Sequence, residues 1–504
     1  MKHNQLRSGV ILSYLNLGIS FLIPFAYTPV MLGILGQEEY GLYSLSHSVI
    51  GYLSLLSFGF GSTIVRYIAK FRAMGDKKAV EEVFGFFLLL YSFLGALVML
   101  GGIILSANVG TIFAQGLTEA EVGKMRTLVL IMAFNMATSF PLSVFTSIAT
   151  AHEHYTFTKT MDVLSTIAAP VLNLIALYMG KASIGMALAA TVLQLLTGPV
   201  NIAFCFRKMK IRFRFARLPR ELCREMLGFS IFIFLGTLVD MLFWATDKVI
   251  LGMLAGTVAV AVYNVGGTFN NIVMQVSTSI SGVLVSRITG MVAAQAPREE
   301  WNNLFIRIGR LQFTIIALIL SGFAVFGQVF IDLWAGPDYA GAFWVAILTM
   351  FPLGVPLIQN TGLSIVIAQN KHQFRAIVYL IIAVANVIST YLVVPTTGII
   401  GAAACSCVSY LVGHGLIMNL YYYKVTKLDI PRFWGNILRM AIIPGSMMVV
   451  GIMVLDQITP SGWIPFLFGV AVYTCIYAVL MYLFALNDYE KDIIRKPLKK
   501  ILHR

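Results

Sequence analysis

Long apolar runs dominate the chain and are broken by short polar stretches. A helix needs about 20 apolar residues to cross the ~30 Å hydrocarbon core of a bilayer. Read with a window of that length, the pattern predicts fourteen helices with approximate limits 8–35, 40–63, 83–107, 127–150, 161–180, 183–206, 226–254, 258–284, 311–331, 341–368, 376–395, 398–423, 437–456 and 464–486. The first run is too long for the apolar region of a cleavable signal and reads as the first membrane span.

Composition agrees with the pattern. Of 504 residues, 58% are hydrophobic and 12% charged, and mean hydropathy is +0.84. A soluble protein of this size could not hide so much apolar surface, so the chain is an all-α polytopic membrane protein. Five cysteines (Cys205, Cys223, Cys405, Cys407 and Cys475) are odd in number, and four lie in predicted spans. They read as small packing residues, not as a disulfide framework.

The net charge of +14 is a topology signal. With the N-terminus inside, 32 of the 36 Lys and Arg residues fall on the cytoplasmic side. Only Lys124, Arg126 and Lys181 fall outside, and Lys248 lies within a span. This obeys the positive-inside rule at every loop and places both termini in the cytoplasm. A nucleic-acid partner is not expected. The largest basic cluster, 207–225 (RKMKIRFRFARLPRELCRE), interleaves cations with Ile211, Phe213 and Phe215. It reads as a cytoplasmic linker lying against anionic headgroups, or equally as plain topogenic charge.

That linker divides two similar six-span units. MLGILGQEEYGLY (31–43) parallels ILGMLAGTVAVAVY (250–263), and GSTIVRYIAK (61–70) parallels GVLVSRITGM (282–291), which sets Arg66 opposite Arg287. FPLSVFTSIATAHEHYTF (140–157) parallels VPLIQNTGLSIVIAQNKHQF (355–374), with Pro141 opposite Pro356, and SIGMALA (183–189) parallels IIGAAAC (399–405). The matches keep their order at offsets between 215 and 221. The expected organisation is a six-helix lobe at 1–206, the linker at 207–225, a second six-helix lobe at 226–425, and two added helices with a basic tail at 426–504. Six spans per repeat give both halves the same orientation, related by an axis along the membrane normal, with rocking of one against the other as the natural motion.

The same motifs carry a family resemblance. LGILGQEEYGLYSLSHSVIGYLSLLSFGFGSTIVRYIAKFRAMGD (32–76), TDKVILG (246–252) and GIIGAAAC (398–405) resemble the polysaccharide-transport, O-antigen-flippase (Wzx-like) branch of the multidrug/oligosaccharidyl-lipid/polysaccharide exporter superfamily, over roughly residues 5–425. The resemblance implies a MATE-like fold of two six-helix lobes. It also implies translocation of polyprenyl-diphosphate-linked sugars across the bacterial inner membrane. Many members of the branch have twelve spans; fourteen resembles the lipid II flippase arrangement, where the extra pair helps form a groove for the lipid tail.

Such a substrate calls for cations or hydrogen-bond donors for the diphosphate, polar and aromatic groups for the sugars, and an apolar exit for the tail. No nucleophile, metal or cofactor is needed. Span 7 is the richest candidate, with Asp240, Asp247 and Lys248. Asp240 lies 15 residues from Glu225, about 22 Å at ~1.5 Å per residue and hence near the midplane. An ionisable group there must face a cavity or a partner. Asp240 is therefore a candidate for coupling H+ or Na+, or else a structural acid paired with a polar neighbour. Lys248 is a candidate diphosphate contact, with snorkelling to the outer interface as the alternative. Asp247 shares that choice.

On span 8, Asn264, Asn271 and Gln275 form one polar stripe suited to sugar hydroxyls or to gluing helices together. Span 1 offers Asn16 and Tyr27. Arg66 and Arg287 stand where spans 2 and 8 reach the cytoplasm, placed to capture a diphosphate or simply to anchor the spans. His152 and His154, spaced HxH in a short loop, lack further ligands for a metal site. His414 in span 12 reads as a packed, hydrogen-bonded residue, with proton coupling as the alternative.

The leading expectation is a flippase for a lipid-linked oligosaccharide, acting as a monomer. The alternative is an ion-coupled drug or small-solute antiporter of the same fold, although span 1 carries no acid between Arg7 and Gly36, where such exporters are expected to have one. An enzyme is not expected, because the longest external connection, about 108–126, is short and holds no recognisable site.

Overall fold

The structure, a computed structural model, describes residues 2–215, 219–282, 285–294, 296–369, 371, 373–457, 460–493 and 495. The described residues are helical with short connections and contain no strand. In order, the helices are α1 (Lys2–Gly51), α2 (Phe60–Ala73), α3 (Lys77–Ile112), α4 (Glu119–Ala151), α5 (Tyr155–Tyr178), α6 (Ala182–Ala203), α7 (Arg220–Trp244), α8 (Thr246–Leu254), α9 (Gly256–Gly282) and α10 (Val285–Ala293). They continue with α11 (Arg298–Trp334), α12 (Ala342–Ile358), α13 (Asn360–Ala368), α14 (Gln373–Tyr410), the short α15 (Asn419–Tyr421) between two π-helical stretches, α16 (Ile430–Gln457) and α17 (Trp463–Leu480).

Among the described residues, ten helical stretches are long and apolar enough to cross a membrane, and an eleventh is the pair α12–α13, bent by 48°. The runs read as separate spans in the sequence are merged in two places. Ser8–Ala73 is a stretch of 66 residues and Gln373–Thr426 one of 54. At ~1.5 Å per residue these reach roughly 100 Å and 80 Å, far more than one crossing. Both bend at a glycine, Gly36 (φ 71°, ψ 175°) and Gly398 (φ 58°, ψ −137°), in backbone that only glycine adopts at little cost. Many large apolar side chains point outward, among them Leu22, Phe93, Ile381 and Ile464, as lipid-facing surface requires.

The internal repeat reappears in the backbone. Gly256 (φ 86°) breaks the chain 220 positions after Gly36, and Gly398 stands 218 positions after Gly180 (φ 73°). Both spacings match the offsets of the sequence motifs. Pro141 and Pro356, also paired, each lie inside a helix.

By packing, the chain forms two compact units. The first comprises residues 1–261 with 394–398, and the second 262–393 with 399–504. The core of the first unit is aromatic at one end, with Phe60, Tyr67, Phe84, Phe87, Tyr91 and Phe140 buried together. The basic linker packs into this core. Ile211 is buried, Phe213 packs at tilted and edge-on angles among Phe84, Phe145 and Phe206, and the Arg214 amide donates to the Glu81 carbonyl. Its alternation therefore sorts faces: Ile211 and Phe213 turn to protein while Arg207, Lys208, Lys210 and Arg212 stay exposed.

In the second unit a buried polar knot ties the bent α12–α13 pair to its neighbours. Ser277 donates to the Leu357 carbonyl at 2.9 Å, Asn360 donates to Ser277 Oγ at 2.8 Å, and Gln312 donates to the Ser277 carbonyl at 3.2 Å. These bonds satisfy backbone and side-chain groups freed where the span breaks, as a membrane interior demands. α11 packs on α16 and α17. Between them lies an apolar cavity of about 610 Å³ lined by Phe326, Met447, Val454, Phe468, Tyr473 and Ile476. One end of this group is locked by a buried ion pair: Arg310 donates to Glu490 at 2.7 and 2.8 Å and to the Ala485 carbonyl at 2.9 Å. Arg310→Met strands a buried carboxylate and is expected to cost about 3–5 kcal/mol, while Arg310→Met with Glu490→Gln loses much less. Thermal unfolding in detergent checks this; equal losses in the two variants would sink the ion-pair account.

Candidate functional site

The site grows from one long antiparallel seam inside the first unit, where α1 and α2 meet α7, α8 and the start of α9. At one end, Lys70 pairs with Glu225 at 3.5 Å, and the Arg66 guanidinium lies 4.4 Å over the Phe229 ring. Next, Thr63 and Ser230 share a hydrogen bond of 2.7 Å, and Phe58 stacks on Phe234 at 4.9 Å. Further along, the Tyr52 hydroxyl is hydrogen-bonded to Thr246. At the far end the helices come so close that a Cβ on Gly41 would sit 1.9 Å from the Thr257 carbonyl oxygen, and one on Gly252 would sit 2.5 Å from Leu45. Thr257 also donates to Glu121 at 2.7 Å. Small residues let membrane helices approach, and short polar bonds then hold them, because lipid supplies little hydrophobic drive between helices.

The seam decides which way the charges of span 7 face. Asp247 is 1% exposed, tucked into the seam beside Thr246 and close enough to act on Tyr52. Lys248, one residue on and so about 100° around the helix, is half-buried on the open face. Asp240, Trp244 and Lys248 follow at four-residue spacing, exposed or half-buried, through a joint at Ala245 that stays near-helical (φ −107°, ψ −33°). The matching stripe on α1 is short. Between Tyr40 and Ile50 only Tyr43 is half-buried and only His47 exposed; the rest is buried. His47 and Lys248 are electrostatic neighbours. The open face thus carries an acid, an ammonium and an imidazole, flanked by Trp244 and Tyr43.

The other predicted residues are dispersed. Arg66 is exposed over Phe229, and Arg287 is exposed on α10. Asn16 is half-buried, its side-chain oxygen without a partner among the described residues, and Tyr27 is half-buried with its hydroxyl toward Asn173. In the second unit Asn271 is exposed, and Asn264 and Gln275 are half-buried. The helix glue on α9 is instead Asn270, 1% exposed and bonded to Thr349 at 2.9 Å. His414 is packed as its sequence setting suggested, hydrogen-bonded to the Tyr379 hydroxyl at 2.6 Å. In the loop before α5, burial first, and then the charge of Arg72, hold the His152 and His154 rings below the ordinary imidazole value. His152 Nδ1 lies 2.9 Å from the Ile148 carbonyl oxygen.

Sequence reasoning missed His47, Tyr52, Trp244 and Thr246. Only Trp244 carried a usable signal, its place midway between Asp240 and Lys248. The partners of the others lie about 200 residues away in the chain.

These features define a class before a family: a multi-pass membrane protein with the fold of the transporters and flippases of the MOP superfamily. Its structure is similar to a lipid II flippase, MurJ, in an inward-closed conformation, with TM-score 0.73 and 14% identity over 96% of this chain and 100% of that one. It is also similar to an inward-facing multidrug resistance MATE family transporter of the MOP superfamily, with TM-score 0.62 and 15% identity over 82% and 99%. A family model described as polysaccharide biosynthesis protein matches residues 6–291, and the chain belongs to that family. Among curated proteins it is similar to the uncharacterized membrane protein MJ1068 of Methanocaldococcus jannaschii, 22% identical over 90% of this chain and 92% of that one. The uncharacterized membrane protein EpsK of Bacillus subtilis is 21% identical over 81% of each.

The tight end of the seam can be tested directly. Gly41→Val drives a side chain into the Thr257 carbonyl and is expected to cost about 1–3 kcal/mol by overpacking. Gly18→Ala, with open space around its Cβ, is the control. A lower unfolding temperature in detergent for the first and not the second is the expected result; equal temperatures would show that the contact is soft.

Proposed function

We propose that the chain is a flippase that moves a polyprenyl-diphosphate-linked oligosaccharide or polysaccharide repeat unit across the bacterial inner membrane by alternating access. The observation that carries this reading is the accessible stripe Asp240–Trp244–Lys248 with His47 near its Lys248 end, a charged and aromatic surface within the membrane-spanning part of a polysaccharide-biosynthesis family member. Cations suit a diphosphate, and aromatic faces beside carboxylates and amides suit sugars. The apolar cavity between α11, α16 and α17 is chemically suited to a polyprenyl tail. Charge distribution favours cytoplasmic termini, which makes the Gly41–Thr257 end of the seam the outer one. Counting each of the two kinked stretches as two crossings, α12–α13 as one and α9 as one gives fourteen spans. The exposed bases of the linker then lie at the cytoplasmic surface, beside anionic headgroups. We take the monomer as the working unit, with neither cofactor nor metal.

Reconstitution into vesicles with a fluorescent polyprenyl-diphosphate sugar tests the reading. Accelerated transbilayer movement is expected for at least one of several sugar types. No acceleration for any of them, together with ion-driven efflux of cationic drugs, would favour the small-solute antiporter instead. Within the flippase reading Asp240 couples H+ or Na+. Asp240→Asn is therefore expected to abolish the pH or sodium dependence of transport; unchanged dependence removes Asp240 from that role.

A further inference from the structure

We infer that His47 and Lys248 form a single anion site on the open face of the seam, and that it takes the substrate's diphosphate together with a proton on His47. The inference rests on the flippase reading and adds to it a second ligand group and a proton linkage. Three observations carry it.

The first is convergence. An imidazole from α1 and an ammonium from α8, 201 positions apart, are brought within electrostatic reach on the accessible side of one helix pair. His47 is the one exposed residue between Tyr40 and Ile50, a helix segment buried elsewhere except at the half-buried Tyr43. A polar side chain exposed there is costly if it meets lipid and useful if it meets a polar ligand.

The second is preorganisation. The Tyr52–Thr246 bond on one side and the Gly41–Thr257 and Leu45–Gly252 contacts on the other bracket both groups. Their relative position is therefore set by packed backbone, as a binding site requires.

The third is charge balance. Asp247, held inside the seam, acts on Lys248 and offsets its charge while no anion is bound. Tyr43 on α1 and Tyr52, just past its end, are titratable neighbours, and Asp240 lies two turns away on the face of Lys248. With neutral His47 the local sum of Lys248 and Asp247 is near zero. A diphosphate diester keeps both negative charges across the neutral range. It therefore binds Lys248 more strongly when His47 carries a proton, and the proton is taken up on binding. By linkage, affinity rises as the pH falls through the range in which His47 of the anion-bound protein takes up its proton, and levels off once the imidazole of the free protein is protonated too. Bound on the outer half of the seam, the headgroup would meet the more acidic side of an energised membrane there.

Binding of a farnesyl-diphosphate-linked sugar to the detergent-solubilised protein, followed by titration calorimetry between pH 8 and pH 6, tests the site. The matching farnesyl glycoside without diphosphate is the reference. For the wild type, affinity for the diphosphate is expected to rise by up to tenfold per pH unit over part of this range. His47→Gln should keep the pH 8 affinity and lose the rise. Lys248→Met should weaken diphosphate binding about tenfold or more at every pH, and Lys248→Arg should restore most of it. Lys78→Met, an exposed cation outside the site, should bind like the wild type. A His47→Gln protein whose pH dependence is unchanged, or a folded Lys248→Met protein that binds normally, overturns the site while leaving the flippase reading standing. A wild type that binds the glycoside as well as the diphosphate overturns both.

Discussion

The antiparallel seam of α1 and α2 with α7 to α9 is the contact on which the candidate site depends. Lipid is as apolar as leucine, so two helices gain little by hiding apolar faces from it. What holds them is close backbone approach and hydrogen bonding, and both are concentrated here. Gly41 and Gly252 carry no side chain where the chains meet, and Tyr52–Thr246 and Thr63–Ser230 supply the bonds. Once these are satisfied, the rotation of α8 about its axis is set. One charge is turned inward and its neighbour outward. The buried Asp247 and the accessible Lys248 are consequences of packing before they are elements of function.

The fold was largely legible in the sequence because the bilayer simplifies the problem. Length and hydropathy mark a span without help from its neighbours. The repeat was legible too, and the paired breaks at Gly36 and Gly256 and at Gly180 and Gly398 put it in the backbone. Merging of the first two runs into one bent stretch was not, since the connection at Gly36 carries polar residues that read as a loop but remain helical on both sides. The site was legible only in part. Asp247 and Lys248 stand side by side, and so do Asn270 and Asn271; in each pair one residue is buried and the other is not. A step of about 100° decides the outcome, and a partner helix distant in the chain decides the step. For the same reason His47 had nothing nearby in the sequence to mark it.

Buried polar residues in this chain fall into two kinds. Arg310 with Glu490, Asn270 with Thr349, and the Gln312 amide nitrogen with Ser277 are enclosed and bonded to named partners. Each is explained by the cost of leaving a polar group unmet in a dry interior. Asp240, Lys248 and His47 keep an accessible face. That accessibility within a membrane-embedded bundle is the difference that marks them as functional candidates.

The asymmetry between the repeats carries the argument further. The stretch TPVMLGIL (28–35) corresponds to DKVILGML (247–254), with Thr28 and Pro29 where the later copy has Asp247 and Lys248. Both copies keep the glycine break that follows, so the fold needs the break and does not need the charges. Charges added to one copy alone cannot serve a purpose common to both. They make one face of the seam electrically distinct, and they do so with an acid and a base whose fates differ. Asp247 and Lys248 are neighbours on α8, so any movement that parts the seam uncovers the acid, keeps it beside Lys248 and draws His47 of α1 away from both. An anion held between His47 and Lys248 would then lose one of its two contacts at the moment of opening. Conversely, closing the seam brings the two groups together again and restores the hold on the anion. The same packing that buries the acid can thereby tie grip on a charged headgroup to the state of the helix pair.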